Sequence, residues 1–172
     1  MADRIEPVDP MSIALTPIGR VVAARAEPVD DDWDSVEAVI ELDGAQFGAE
    51  ALAGLNGFSH LEVIYHFHAT APEAESRGAR RPRGRADWPL VGIFAQRAKD
   101  RPNHLGLTIC RIVKVEGLRI TVEGLDAIDG TPVLDLKPVM REFLPRGEVR
   151  QPQWSTELMR GYWKADPDGE IQ

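Results

Sequence analysis

The sequence predicts a mainly β protein: a single-domain, barrel-like β fold with a few short helices. Short runs in which apolar and polar residues alternate recur along the chain, and a period of two is that of a half-buried strand. The strand–helix alternation of a doubly wound sheet is absent. So are a Gly-x-Gly-x-x-Gly turn after a strand and a P-loop, so the fold is not of the Rossmann type. At 172 residues, the chain is long enough for one domain with a substantial core.

Residues 1–15, with Pro7 and Pro10 and no periodicity, read as a loose arm. Pro17–Ala23 and Val36–Leu42 alternate and read as the first two strands. Between them lies the tract Asp30-Asp-Asp-Trp-Asp34, too charged for a core. Gly48–Gly54 suggests a short helix stopped by glycine. Ser59–His68 reads as a strand with Leu61, Val63, Tyr65 and Phe67 on one face and His60, Glu62, Ile64, His66 and His68 on the other. Residues 69–88 carry no periodicity, and a loop of that length in a compact domain is functional or disordered. Leu90–Ala95 reads as a short apolar strand. Leu107, Ile109, Arg111, Val113 and Val115 alternate with smaller or polar positions, and Glu116-Gly117 turns the chain into Leu118, Ile120 and Val122, a hairpin signal. Residues 144–172 form a C-terminal extension. There Ser155 is a candidate helix N-cap, and Leu158, Met159, Tyr162 and Trp163 form an apolar stripe expected to pack against this subunit or another.

Composition narrows the function. The chain is 43% hydrophobic and 28% charged, as in ordinary soluble domains. No apolar run reaches membrane-span length and the N-terminus lacks a secretory pattern, so a cytoplasmic protein is expected. The single cysteine, Cys110, excludes an internal disulfide and reads as a small packed hydrophobe. A net charge of −8 argues against nucleic-acid binding by the whole surface. It leaves room for a local basic patch, and Arg77, Arg80, Arg81, Arg83 and Arg85 supply one. That segment is a solvated loop or a phosphate-gripping one, since arginine forks suit phosphate oxygens.

Three constellations can carry chemistry. His60, Glu62, His66 and His68 share a strand face, yet same-face neighbours lie about 7 Å apart, which strains a three-ligand metal site. No metal is expected. Arg97 and Arg101, between Phe94 and Pro102, either form surface ion pairs or grip a carboxylate or phosphate. Asp126 and Asp129 flank a turn ending in Gly130. They either cap it or offer acceptors to ribose hydroxyls or an ammonium group.

Two stretches join these residues. They are Gly92-Ile-Phe-Ala-Gln-Arg-Ala-Lys-Asp-Arg-Pro-Asn-His-Leu-Gly106 and Leu125-Asp-Ala-Ile-Asp-Gly-Thr-Pro-Val-Leu-Asp-Leu-Lys-Pro138. Together they resemble the TsaA-like family, also called YaeB-like or TrmO-type tRNA methyltransferases, whose patterns are Phe-Ala-Thr-Arg-x-x-x-Arg-Pro-Asn-x-x-Gly and Asp-x-x-Asp-Gly-Thr-Pro-x-x-Asp-x-Lys-Pro. The similarity runs from about Thr16 to Phe143 and includes Gly54-Leu-x-Gly-Phe-Ser-His-Leu61 and Phe67-His68. Residues 16–143 are accordingly read as the cofactor-binding barrel domain.

The resemblance implies an S-adenosylmethionine-dependent enzyme, working as a homodimer, that methylates N6 of a threonylcarbamoyl-modified adenine beside the tRNA anticodon. Carried over residue by residue, cofactor contacts fall at Asp32, Trp33 and Asp34, at His68 and Ala69, at Arg97, at Leu107, and at Asp126, Ala127, Ile128 and Asp129. The arginines Arg80, Arg81, Arg83 and Arg101 are the candidates for tRNA phosphates. The chain departs from the pattern in several places. The family's Pro-Arg-Gln is replaced by the acidic tract around Trp33, its Thr by Gln96, its proline after Arg-Pro-Asn by His104, and its Tyr-x-Pro by residues after Pro138. Cofactor positions are kept better than acceptor-facing ones, so a different methyl acceptor stays open. So do a non-catalytic module that binds S-adenosylmethionine or RNA, and a metal-dependent hydrolase on the histidine face. No residue is singled out as the general base; His68 and the 126–129 aspartates are the candidates.

Overall fold

The computed structural model describes residues 12–163. Most of the expected N-terminal arm and the last residues of the C-terminal extension lie outside the described residues. Among the described residues there are eight strands: β1 (Gly19–Ala23), β2 (Glu37–Leu42), β3 (His60–His66), β4 (Ala79–Arg80), β5 (Val91–Gly92), β6 (Leu105–Glu116), β7 (Arg119–Glu123) and β8 (Pro132–Pro138). Six of them close into an antiparallel barrel in the order β1-β2-β7-β6-β3-β8, with β8 pairing back onto β1. Closure leaves no long unpaired edge.

The barrel interior is filled by alternate residues of each strand. Val21, Ala38, Ile40, Leu61, Val63, Tyr65, Ile120, Val122 and Val133 are buried together with Leu125 and Ala127. The face assigned to Leu61, Val63 and Tyr65 points inward as expected, and Phe67 packs against the same cluster. The hairpin forms as read, with Glu116 opposite Arg119 and Gly117 at φ 58°, a backbone state that glycine adopts at little cost.

Four local expectations change. The run Leu90–Ala95 forms only the two-residue β5, followed by a single tight turn at Ile93–Ala95. β5 pairs with β4 in a separate ribbon rather than with the barrel. The short helix expected at Gly48–Gly54 is one 3₁₀ turn, Ala49–Leu52, since glycines at both ends leave too few residues to propagate an α-helix. Helix α1 spans Gln153–Met159 and is preceded by Pro152; Ser155 lies inside it, and its hydroxyl donates to the Pro152 carbonyl at 2.8 Å. On β6 the side turned inward carries Gly106, Thr108 and Cys110, whereas Leu105, Leu107 and Ile109 face outward. Small residues fit there because the Tyr65 ring fills the adjoining space: a Cβ on Gly106 would lie 2.3 Å from that ring.

Candidate functional site

The site is built at one mouth of the barrel, where the chain leaves its strands. β3 ends at His66, and the next residues turn back, with the His68 amide donating to the His66 carbonyl at 2.8 Å. His68 therefore leaves the strand face it was expected to share and swings toward the 126–131 turn, where its Nε2 lies 3.8 Å from the position of a Cβ on Gly130. The Arg101-Pro-Asn-His104 turn is fixed by two residues in the left-handed region, Asn103 at φ 64° and His104 at φ 48°. Asparagine tolerates that region better than most residues.

These segments, together with the 28–33 loop, the arginine loop and α1, surround one cavity of about 1610 Å³. Of the expected cofactor residues, Trp33, His68, Ala69, Arg97, Leu107, Asp126, Ala127 and Ile128 line it. Asp32, Asp34 and Asp129 do not line it. The Asp32 amide is instead bonded to the Gly161 carbonyl at 3.2 Å, and the Asp129 amide to that of Arg25 at 2.9 Å. Arg80, Arg81, Arg83 and Arg101 line the same cavity. Four candidates from the arginine loop and motif thus share one space with the cofactor candidates.

Asp126 is the hub of the cavity. The Tyr65 hydroxyl donates to its Oδ1 at 2.6 Å, the Thr108 hydroxyl donates to the same oxygen, and the Tyr162 hydroxyl donates to Oδ2. A carboxylate offers about four acceptor positions. Three are filled, so Asp126 can accept one more donor and cannot grip a vicinal diol through both oxygens. Burial, and then the Asp126 charge, push both tyrosine hydroxyls up from their ordinary values, which keeps them protonated donors. The same two causes raise the thiol of Cys110 to about 12. Tyr65, Thr108 and Tyr162 line this candidate site and were not among the residues expected there. A tyrosine on the inward strand face was the available signal, because a buried phenol needs a hydrogen-bond partner.

The arginines are paired within the chain. Arg80 meets Asp100 at 2.7 Å, and Arg83 forks onto the two oxygens of Asp31 at 2.7 and 3.0 Å. Arg81 donates to the Trp88 carbonyl, Arg101 to that of Gln96 at 3.2 Å, and Arg97 to that of Leu107. Arg25 stacks over Trp33 at 4.3 Å and donates to the Asp31 carbonyl at 2.8 Å, which ties the acidic tract down beside the cavity. Among the described residues, no group of three or more His, Cys, Asp or Glu side chains is placed to hold a metal ion. Desolvation, with the neighbouring His104 and His68, lowers the His66 pKa.

Of the two partners open to the C-terminal stripe, it meets its own chain: Leu158, Met159, Tyr162 and Trp163 line the cavity.

The molecule is a closed antiparallel barrel, not of the Rossmann type, whose mouth holds an aromatic-walled cavity with one carboxylate hub and an arginine-lined rim. The family model of the tRNA-methyltransferase O N-terminal domain matches residues 26–143. The chain belongs to that family. It is 33% identical to a probable S-adenosyl-L-methionine-binding protein of Pyrococcus abyssi, over 94% of this chain and 86% of the relative. It is 37% identical to the human tRNA (adenine(37)-N6)-methyltransferase, over 59% of this chain but only 23% of that protein. The crystal structure of TrmO from Pseudomonas aeruginosa superposes with a TM-score of 0.65 at 28% identity, covering 81% of this chain and 62% of the other. The chain thus spans less than two thirds of that structure and under a quarter of the human enzyme.

Proposed function

We propose that this chain binds S-adenosylmethionine in the barrel-mouth cavity and transfers its methyl group to N6 of a threonylcarbamoyl-modified adenine beside the tRNA anticodon. The observation that carries this reading is the shared cavity: eight of the eleven residues carried over from the family's cofactor contacts border one space with Arg80, Arg81 and Arg83 of the arginine loop. Pockets for a single small ligand run to roughly 300–1,000 Å³, so a cavity of about 1610 Å³ has room for a cofactor and part of an acceptor. Its donor set fits the cofactor. Trp33, Phe67, Ile128 and Tyr162 offer apolar and aromatic wall for an adenine, Asp126 retains one acceptor for an ammonium, and the Arg97 guanidinium suits a carboxylate.

Bound there, the cofactor supplies an electrophilic methyl group on a sulfonium. The protein's contribution is to hold the acceptor in line with it and to exclude competing water. The N6 of a carbamoylated adenine is a weak nucleophile and gains from a proton acceptor. In this reading the one free acceptor of Asp126 meets the cofactor ammonium and Asp129 lies outside the cavity lining, so His68, which lines the cavity, is the candidate to accept that proton. The arginine rim supports contact with a phosphate backbone.

A homodimer is supported by exposed apolar residues of β6 outside the cavity lining, Ile109 and Val113, which are 45% and 42% exposed. No described helix is long and apolar enough to cross a membrane, and a tRNA substrate goes with a cytoplasmic location.

The test is incubation with methyl-labelled S-adenosylmethionine and total tRNA from cells able and unable to make threonylcarbamoyladenosine. Label is expected only in the first tRNA. Label in neither, with tight cofactor binding, would make the chain a non-catalytic S-adenosylmethionine-binding module. Arg97→Ala should weaken cofactor binding by about 1.5–3 kcal/mol, read by calorimetry; unchanged affinity would return Arg97 to a purely structural bond with Leu107.

A further inference from the structure

The segment carrying Tyr162 lies beyond the family-matched span, which ends at residue 143. It nevertheless lines the cavity, and the Tyr162 hydroxyl donates to Asp126 Oδ2. Its attachment does not depend on Asp126. The Trp33 amide donates to the Tyr162 carbonyl at 3.0 Å and the Asp32 amide to that of Gly161 at 3.2 Å. The Trp88 indole donates to Glu157 Oε2 at 2.9 Å. Trp163 stands edge-on to Tyr162 with ring centroids 5.1 Å apart, and lies beside Gly124. These anchors tie the segment to the 30–34 tract, to the arginine-loop side at Trp88 and to the turn after β7. Swinging it away from the cavity would break the bonds to Asp32, Trp33 and Trp88 and the contact at Gly124 together.

From this geometry we propose that residues 153–163 form a fixed wall of the cofactor cavity and that Tyr162 is a positioning residue, its hydroxyl orienting the Asp126 carboxylate toward a single donor group of bound S-adenosylmethionine. The proposal rests on the cofactor reading above. The wall is built in cis, from sequence beyond the span that the family model matches. With Tyr65 and Thr108 both holding Oδ1, the Tyr162 hydroxyl is the bond that fixes Oδ2, and Oδ2 carries the remaining acceptor position. Removing it leaves Oδ2 without its hydroxyl donor and the carboxylate held at Oδ1 alone.

The experiment uses the full chain with Tyr162→Phe, Asp126→Asn and the double variant. Calorimetry with S-adenosylmethionine is paired with amide exchange of residues 153–163, with and without that ligand. Tyr162→Phe keeps the ring and the main-chain anchors, so melting without ligand stays close to the parent. Cofactor affinity is expected to fall about five- to tenfold in Tyr162→Phe. In the Asp126→Asn background the same change should cost little more, whereas a merely structural role would be additive. Exchange in the segment should slow when the cofactor binds. Faster exchange on binding would identify a displaced strap and overturn the wall; parent-like affinity in Tyr162→Phe, or full additivity with Asp126→Asn, would overturn the positioning role. A parent that binds no cofactor at millimolar ligand would remove the cofactor reading itself, and this inference with it.

Discussion

At the scale of single residues, the barrel mouth turns on the fit between Gly106, Tyr65 and Asp126. The Tyr65 ring lies over Gly106, and its hydroxyl is fixed on the Asp126 carboxylate at 2.6 Å. An added methyl at Gly106 would meet the ring at 2.3 Å, and the ring cannot yield without losing that bond. Gly106→Ala should therefore destabilise the fold by about 1–3 kcal/mol, the usual range for overpacking. A urea transition with an unchanged midpoint would refute the clash. The role of Asp126 was only half legible in the sequence. The spacing of Asp126, Asp129 and Gly130 marked a polar turn, and the resemblance marked a ligand contact. The three hydroxyls that occupy the carboxylate come from positions 18, 36 and 61 residues away. No local pattern announces such partners, because only closure of the barrel and docking of the C-terminal segment bring them together.

At the scale of elements, periodicity located the strands better than it oriented them. The face of β3 was legible because its inner residues are the large ones, Leu61, Val63 and Tyr65. β6 inverts that rule: its small residues are buried and its large ones exposed. Alternation reveals that one face differs from the other, and hydrophobicity assigns the inner one only when no tyrosine crosses the interior from a neighbouring strand. The outward apolar stripe on β6 is the consequence. A stripe of this kind on a monomer's surface marks an interaction site, and the second copy proposed above fits it. Ile109→Asp, placed on that stripe away from the cavity lining, should convert a dimer to a species of 19.0 kDa in light scattering. Because Ile109 is 45% exposed, melting of the monomer should hardly change. A parent chain that is already monomeric at tens of micromolar would rule out the dimer.

At the scale of the whole molecule, an acidic protein must concentrate positive charge to hold an RNA backbone. The chain carries a net charge of −8, and the density of arginines from Arg77 to Arg85 was plain in its sequence. Their pairing was not, because Asp31 and Asp100 are remote in sequence and meet them only in the fold. Arg83 presents its fork to the two Asp31 oxygens, the same geometry a phosphate would occupy. The pair is partly open, with side chains 28% and 37% accessible, so a phosphate can reach the fork and compete with the carboxylate for it. Two variants should therefore move tRNA binding in opposite directions. Replacing Arg80, Arg81 and Arg83 together with serine should weaken it strongly and flatten its salt dependence, since each lost phosphate contact removes on the order of one unit of slope. Asp31→Asn leaves every arginine in place and removes the competing charge. It should strengthen tRNA binding about two- to threefold and steepen the same dependence. Filter binding across a salt series reads both. If the serine variant binds tRNA as the parent does, the arginine loop is a solvated connector held by its own acidic partners. The acceptor must then reach the cavity by another side, and Asp31→Asn should leave binding unchanged as well.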